Sequence, residues 1–211
     1  MIPFNGFTDR DFEIFEIPGF EARMPAIRAH ITPALRSLGD LLQPRLCEST
    51  GLRLYPHVAQ HLRRTVNAPE ETWVAFAREK RAYKPFVHYR VAIRADRVRV
   101  TVFVEDYADE KAAFAANLER RADALADHLA QHPTVLAYEI CDDDGTPQRG
   151  PALNAATLRA FAERMQRVKG QHAVFGIPFD KNHSVVRSGP ALLEAVTQAA
   201  VTLKPLYDCG P

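Results

Sequence analysis

Residues 87–104 constrain the fold of this chain more than any other stretch. Val87, Tyr89, Val91 and Ile93 alternate with His88, Arg90, Ala92 and Arg94, the period-two pattern of a strand with one buried face. Arg97–Val104 repeats the pattern, with Val98, Val100, Val102 and Val104 directed inward. Ala95-Asp96 between the two runs is short enough for a hairpin turn. Opposite the valines lie His88, Arg90, Arg94, Arg97, Arg99, Thr101 and Phe103. One face of the hairpin is therefore apolar, and the other is basic with an aromatic ring at its far end.

Helical patterns flank this hairpin. Thr8 is placed to cap a short first helix, with Asp11 in the capping-box position, and a brief strand is expected over Glu13–Ile17 before Pro18-Gly19. Pro25 and Pro33 mark starts or kinks of the next helices. Leu35, Leu38, Leu42 and Leu46 fall at helical spacing, and Pro44 is expected to bend the end of that helix. A long amphipathic helix is expected from Ala108 to Gln131. Asn154 caps another, with Gly170 at its C-terminal end, and a last helix follows Gly189-Pro190 towards Tyr207. Further strands are expected at Thr72–Ala77, Val135–Ile140 and His172–Phe179. Helices collected before and after a central hairpin define an α+β fold with a mainly antiparallel sheet.

Composition fits one globular unit spanning 1–211: 46% hydrophobic, 25% charged, with 12 Phe to fill a core. No apolar run approaches the roughly 20 residues of a membrane helix, and no secretory signal pattern opens the chain. The three cysteines, Cys47, Cys141 and Cys209, are odd in number and widely spaced. That pattern fits reduced thiols and a cytoplasmic location. The net charge of +1 conceals two opposed blocks: residues 51–99 carry eleven Lys and Arg against four acids, and residues 100–150 carry four against eleven. The blocks either neutralise one another or leave a basic surface free for anions.

Within the basic block, Tyr55–His88 gathers three of the eight histidines, the only tryptophan and the close-set cations Arg63, Arg64, Lys80, Arg81 and Lys84. His57 and His61 are four apart and so share a face in either helix or strand. Arg63 and Arg64 follow, then Asn67 and Pro69, as in a loop that grips phosphate or carboxylate. Lys80, Arg81, Tyr83 and Lys84 form a polar loop ahead of His88 and its strand. Trp73, in a weakly alternating strand, is expected in the core. No metal is expected, because the histidine pair lacks the accompanying Glu and no cysteine stands at zinc-site spacing. Cofactor motifs and nucleophile triads are equally lacking: Gly170, Gly176 and Gly189 form no phosphate loop, and Asp142–Gly145 reads as an acidic turn rather than a calcium loop.

The order FTDRDFEIF, then H-V-A-x-H, R-R-x-V-N-x-P, T-W-V-A-F and K-R-x-Y-K followed by a histidine, resembles the YktB-like family of uncharacterised bacterial proteins. The resemblance implies an α+β protein with no established activity, cofactor or catalytic residue. The chain departs from the pattern at Ala82, where glycine is expected, and in its hairpin arginines Arg90, Arg94, Arg97 and Arg99.

Three functional readings follow. In the first, His57, His61, Arg63, Arg64, Lys80, Arg81, Tyr83, Lys84 and His88 line a pocket for a small ligand bearing phosphate or carboxylate. In the second, the basic hairpin face 88–103 binds nucleic acid. In the third, the chain is an enzyme on a phosphorylated substrate, with His57 or His61 as acid/base. No membrane partner is expected under any of them.

Overall fold

In the computed structural model, which describes residues 4–62 and 64–211, the expected hairpin is the centre of a seven-stranded sheet. Its strands are β1 (Tyr55–Val58), β2 (Glu71–Ala77), β3 (His88–Arg94), β4 (Arg97–Val104), β5 (Leu136–Cys141), β6 (Pro147–Arg149) and β7 (Ala173–Asp180). They lie in the order β1-β2-β3-β4-β7-β5-β6, and every neighbouring pair is antiparallel. The helices are α1 (Asp9–Glu13), α2 (Phe20–Ala26), α3 (Thr32–Thr50), α4 (Lys111–Arg120), α5 (Ala122–Ala130), α6 (Ala155–Arg167) and α7 (Gly189–Tyr207). The first three precede the hairpin and the rest follow it, so the α+β reading holds.

Strand register decides which residues reach the core. Ile93 pairs with Val98, Val91 with Val100 and Tyr89 with Val102, and all six are buried. Each such side chain removed from water contributes roughly 1.5–3 kcal/mol before entropy is subtracted. Tyr89 stacks on Tyr207 of α7 with ring centroids 4.6 Å apart, and its hydroxyl donates to the Ala200 carbonyl at 3.2 Å. The opposite parity is set by Ala75 opposite Arg90, Arg90 opposite Thr101 and Thr101 opposite Gly176. That second face carries the polar and aromatic groups considered below. A Cβ on Gly176 would come within 2.5 Å of the Val100 carbonyl oxygen, so no larger residue fits there without movement.

Several local expectations hold. The Thr8 N–H donates to Asp11 Oδ2 at 2.8 Å, and Asn154 Oδ1 accepts from Thr157 N–H at 2.9 Å. Others are corrected. Glu13–Ile17 is not a strand: Ile14–Glu16 is a 3-10 turn that buries Ile14 and Phe15 together, which an alternating strand would not do. The helix expected over 108–131 is broken into α4 and α5 at Arg121 (φ −99°, ψ 9°), while Leu118, Leu125 and Leu129 all stay buried. Helix α3 continues through Pro44 to Thr50, because Leu42 and Leu46 on either side are locked in the core, and it ends at left-handed Gly51 (φ 71°). Gly170 is not a cap: α6 ends at Arg167 with Val168 in an extended conformation.

The hairpin arginines are neutralised, mostly from within the basic block itself. Arg94 and Arg97 pair with Asp96, and Arg99 pairs with Glu71 at 2.7 Å. Arg90 pairs with Glu105 and Arg78 with Glu110, contacts that cross from the basic block to the acidic one.

Candidate functional site

The second face of the sheet and the two segments 59–70 and 78–87 around it place the residues singled out above. His57, on β1 opposite Ala75, is committed: its Nε2–H donates to the Glu79 carbonyl at 2.8 Å, and its ring lies 5.5 Å from that of Tyr83. β1 stops at Val58, so helical or strand spacing does not place His61. His61 instead adopts φ 50°, the one positive φ among the described residues other than glycine. Such a conformation persists only where its surroundings enforce it. Here the ring meets Trp73 edge-on at 5.3 Å, and Nε2 is hydrogen-bonded to Thr72 Oγ1 at 3.0 Å. Burial, then the charges of Arg64 and Lys84, pull the His61 pKa down to about 4, so the ring is neutral at pH 7.

Arg64 donates from Nη1 to the Asn67 carbonyl at 3.3 Å. Arg63 lies outside the described residues. Lys80 is drawn to the Tyr55 ring, 5.3 Å from its centroid. Tyr83 accepts a hydrogen bond from Trp73 Nε1–H at 3.2 Å, which leaves the phenolic proton free to donate. Trp73 is therefore half-buried on the polar face and not in the core as expected, because β2 turns Val74 and Phe76 inward instead.

His61, Arg64, Arg81, Tyr83 and Lys84 converge on one cleft of about 760 Å³. Trp73 lines it as well, and Leu62 and Tyr107 contribute exposed side chains. No Asp or Glu is among the lining residues, and among the described residues Arg81 and Lys84 face no ion-pair partner. His57, Lys80 and His88 are not part of the lining. His88 is wholly buried: its Nδ1–H donates to the Phe86 carbonyl at 2.7 Å and its Nε2 accepts from Arg90 Nε at 2.9 Å. Those two bonds fix the neutral tautomer, and burial followed by the Arg90 charge holds its pKa well below the ordinary histidine range.

Behind the cleft sits a buried cation. The Arg90 guanidinium carbon lies 3.4 Å from the Phe103 ring centroid and 4.4 Å from that of Trp73. Its Nη2 is paired with Glu105. Glu105 Oε2 is in turn 3.6 Å from His172 Nδ1, and Asp106 Oδ1 is 3.9 Å from His172 Nε2. Sequence reasoning placed Arg90 and Phe103 on this face but missed Glu105 and His172. Glu105 continues the parity of Phe103 one step past β4, a signal that was present. His172 arrives from just ahead of the distant strand β7 and had none. Glu105, Asp106 and His172 form a group with the ligand types of a metal site. Yet the two carboxylates address different ring nitrogens, Nδ1 already accepts from Asp106 N–H at 3.2 Å, and Glu105 is held by Arg90. An ion there would have to break these contacts.

Fold and cleft together define an α+β protein whose sheet carries helices against one face and a cationic cleft beside the other. The family model described as a domain of unknown function (DUF1054) matches residues 7–207, and the chain belongs to that family. This bears out the resemblance to an uncharacterised bacterial family. Its relatives include a UPF0637 protein of Shouchella clausii, 33% identical over 98% of this chain and 95% of that protein. A UPF0637 protein of Oceanobacillus iheyensis is 30% identical over 97% of this chain and 96% of its own length. One from Staphylococcus aureus strain Newman is 37% identical over 76% of each chain. Among the described residues, no helix is long and apolar enough to cross a membrane.

Proposed function

We propose that this protein binds a small ligand bearing phosphate or carboxylate, and that the cleft between segments 58–64 and 81–84 is the site. The observation that carries this reading is the lining: Arg64, Arg81 and Lys84 with no carboxylate among them, beside the free phenolic proton of Tyr83. Cations gathered without a counter-charge repel one another, and an anion relieves that repulsion. His61 beside them is neutral, first through burial and then through the charges of Arg64 and Lys84, the cations that would meet the ligand. The unpaired state of all three cysteines supports a reducing, cytoplasmic setting. By contrast, each hairpin arginine that a nucleic-acid face would need already has an acidic partner.

Phosphate or pyrophosphate should therefore raise the thermal midpoint beyond sodium chloride at matched ionic strength. At ten times the Kd, binding adds about 1.4 kcal/mol, a rise of roughly 3–6 °C for a chain of this size. The gain should shrink in Arg64→Ala and Lys84→Ala and persist in Arg97→Ala. Equal loss in all three, or no gain over chloride, would reduce the cluster to a solvated basic surface. A flow-through on heparin at low salt is expected, and retention that weakens steeply with salt would favour the nucleic-acid reading instead.

A further inference from the structure

Building on the anion-site reading, we infer that the cleft is shaped for a nucleoside phosphate, with the phosphate among Arg64, Arg81 and Lys84 and the ring stacked at Tyr107. Three observations point there. The cleft measures about 760 Å³, far more than inorganic phosphate would fill and well within the range of sites for small organic ligands. Three cations suit more than one negative charge, as on a phosphate ester. And the cleft is chemically divided, with Leu62 80% exposed and Tyr107 60% exposed alongside its cations.

Tyr107 carries the most weight. The other aromatic side chains bordering the cleft are engaged: Trp73 by Arg90 and His61, and Tyr83 by His57 and His88. Among the described residues Tyr107 has neither a ring partner nor a cation over its face. The turn that carries it is anchored. Ala108 N–H closes the turn on the Glu105 carbonyl at 3.1 Å, and Glu110 N–H reaches the Pro85 carbonyl at 3.3 Å. Glu110 Oε2 accepts from Val87 N–H at 2.7 Å, which ties the turn to the segment that carries Lys84. An open aromatic ring on an anchored turn beside cations is the arrangement that stacks bases, each stack contributing about a 5- to 150-fold gain in affinity.

The only tryptophan lines the cleft, so its fluorescence reports binding directly. ADP, pyrophosphate, ribose 5-phosphate and adenosine should be titrated into the wild type, Tyr107→Ala and Tyr107→Phe. ADP is expected to bind at least tenfold more tightly than pyrophosphate. Tyr107→Ala should remove that advantage while leaving pyrophosphate binding unchanged, and Tyr107→Phe should keep it. Equal affinity for ADP and pyrophosphate, or equal loss of both in Tyr107→Ala, would overturn the ring site and leave the anion site standing. Failure of all four compounds would overturn both. A single-stranded octanucleotide binding more than tenfold tighter than ADP would overturn the mononucleotide assignment in favour of nucleic acid.

Discussion

Replacing Glu105 with alanine is expected to destabilise the fold by about 3–5 kcal/mol, the cost of leaving a buried charge without its partner. Arg90 is 4% exposed and Glu105 7%, so neither is reached by bulk water. Removing the carboxylate leaves the guanidinium to His88 Nε2 and the faces of Phe103, Trp73 and Tyr83, none of which carries a counter-charge. The thermal midpoint should fall by roughly 6–20 °C. Glu105→Gln should fall between that and the wild type, because an amide oxygen still accepts. The double variant Arg90→Met with Glu105→Leu should recover most of the loss, since removing both charges spares their desolvation. Denaturant melts of the four proteins decide it. A Glu105→Ala protein within 1 kcal/mol of wild type would mean that the pair is solvated and not the buried support of the cleft.

Acidification should destabilise the protein through two neutral histidines. The folded-state pKa of His61, about 4, lies below the ordinary value of 6.5, and that of wholly buried His88 is lowered in the same direction. Between those values the unfolded chain binds more protons than the native one. Stability is therefore fully present above pH 6.5 and is lost as pH falls towards 4. For half-buried His61 the contribution, discounted for screening by solvent, is about 1–2 kcal/mol. His88 adds to it, since a proton on Nε2 would meet the Arg90 Nε–H that Nε2 now accepts. Denaturant melts at pH 7 and pH 5 should show His61→Gln losing less on acidification than the wild type. An unchanged or steeper loss in that variant would contradict the assignment.

The hairpin and its two faces were legible because alternation is a property of the backbone: the parity that buries Val91 also sends Arg90 to the other side. Caps at Thr8 and Asn154 were legible for the same local reason. What escaped was set by tertiary pairing. Arg99 meets Glu71 across 28 residues, so sequence alone left open whether the basic face was neutralised or free. Trp73 drew a core assignment from its size, whereas its register opposite Ala92 puts it on the polar face. The cleft was half legible. The cations of 64–84 were marked out by composition, but His61 joins them through a left-handed backbone that no spacing rule foresees. His57 and His88, chosen on the same grounds, are spent on backbone carbonyls.

The most direct test of the anion site is to see an anion in it. Crystals soaked in tungstate, a heavy analogue of phosphate, should give an anomalous peak within hydrogen-bonding reach of Arg64, Arg81 and Lys84. The peak should vanish in crystals of the Arg81→Ala/Lys84→Ala double variant. A cleft without a peak, with tungstate bound instead at the Arg53 and Arg78 pocket near the C-terminus, would contradict the account.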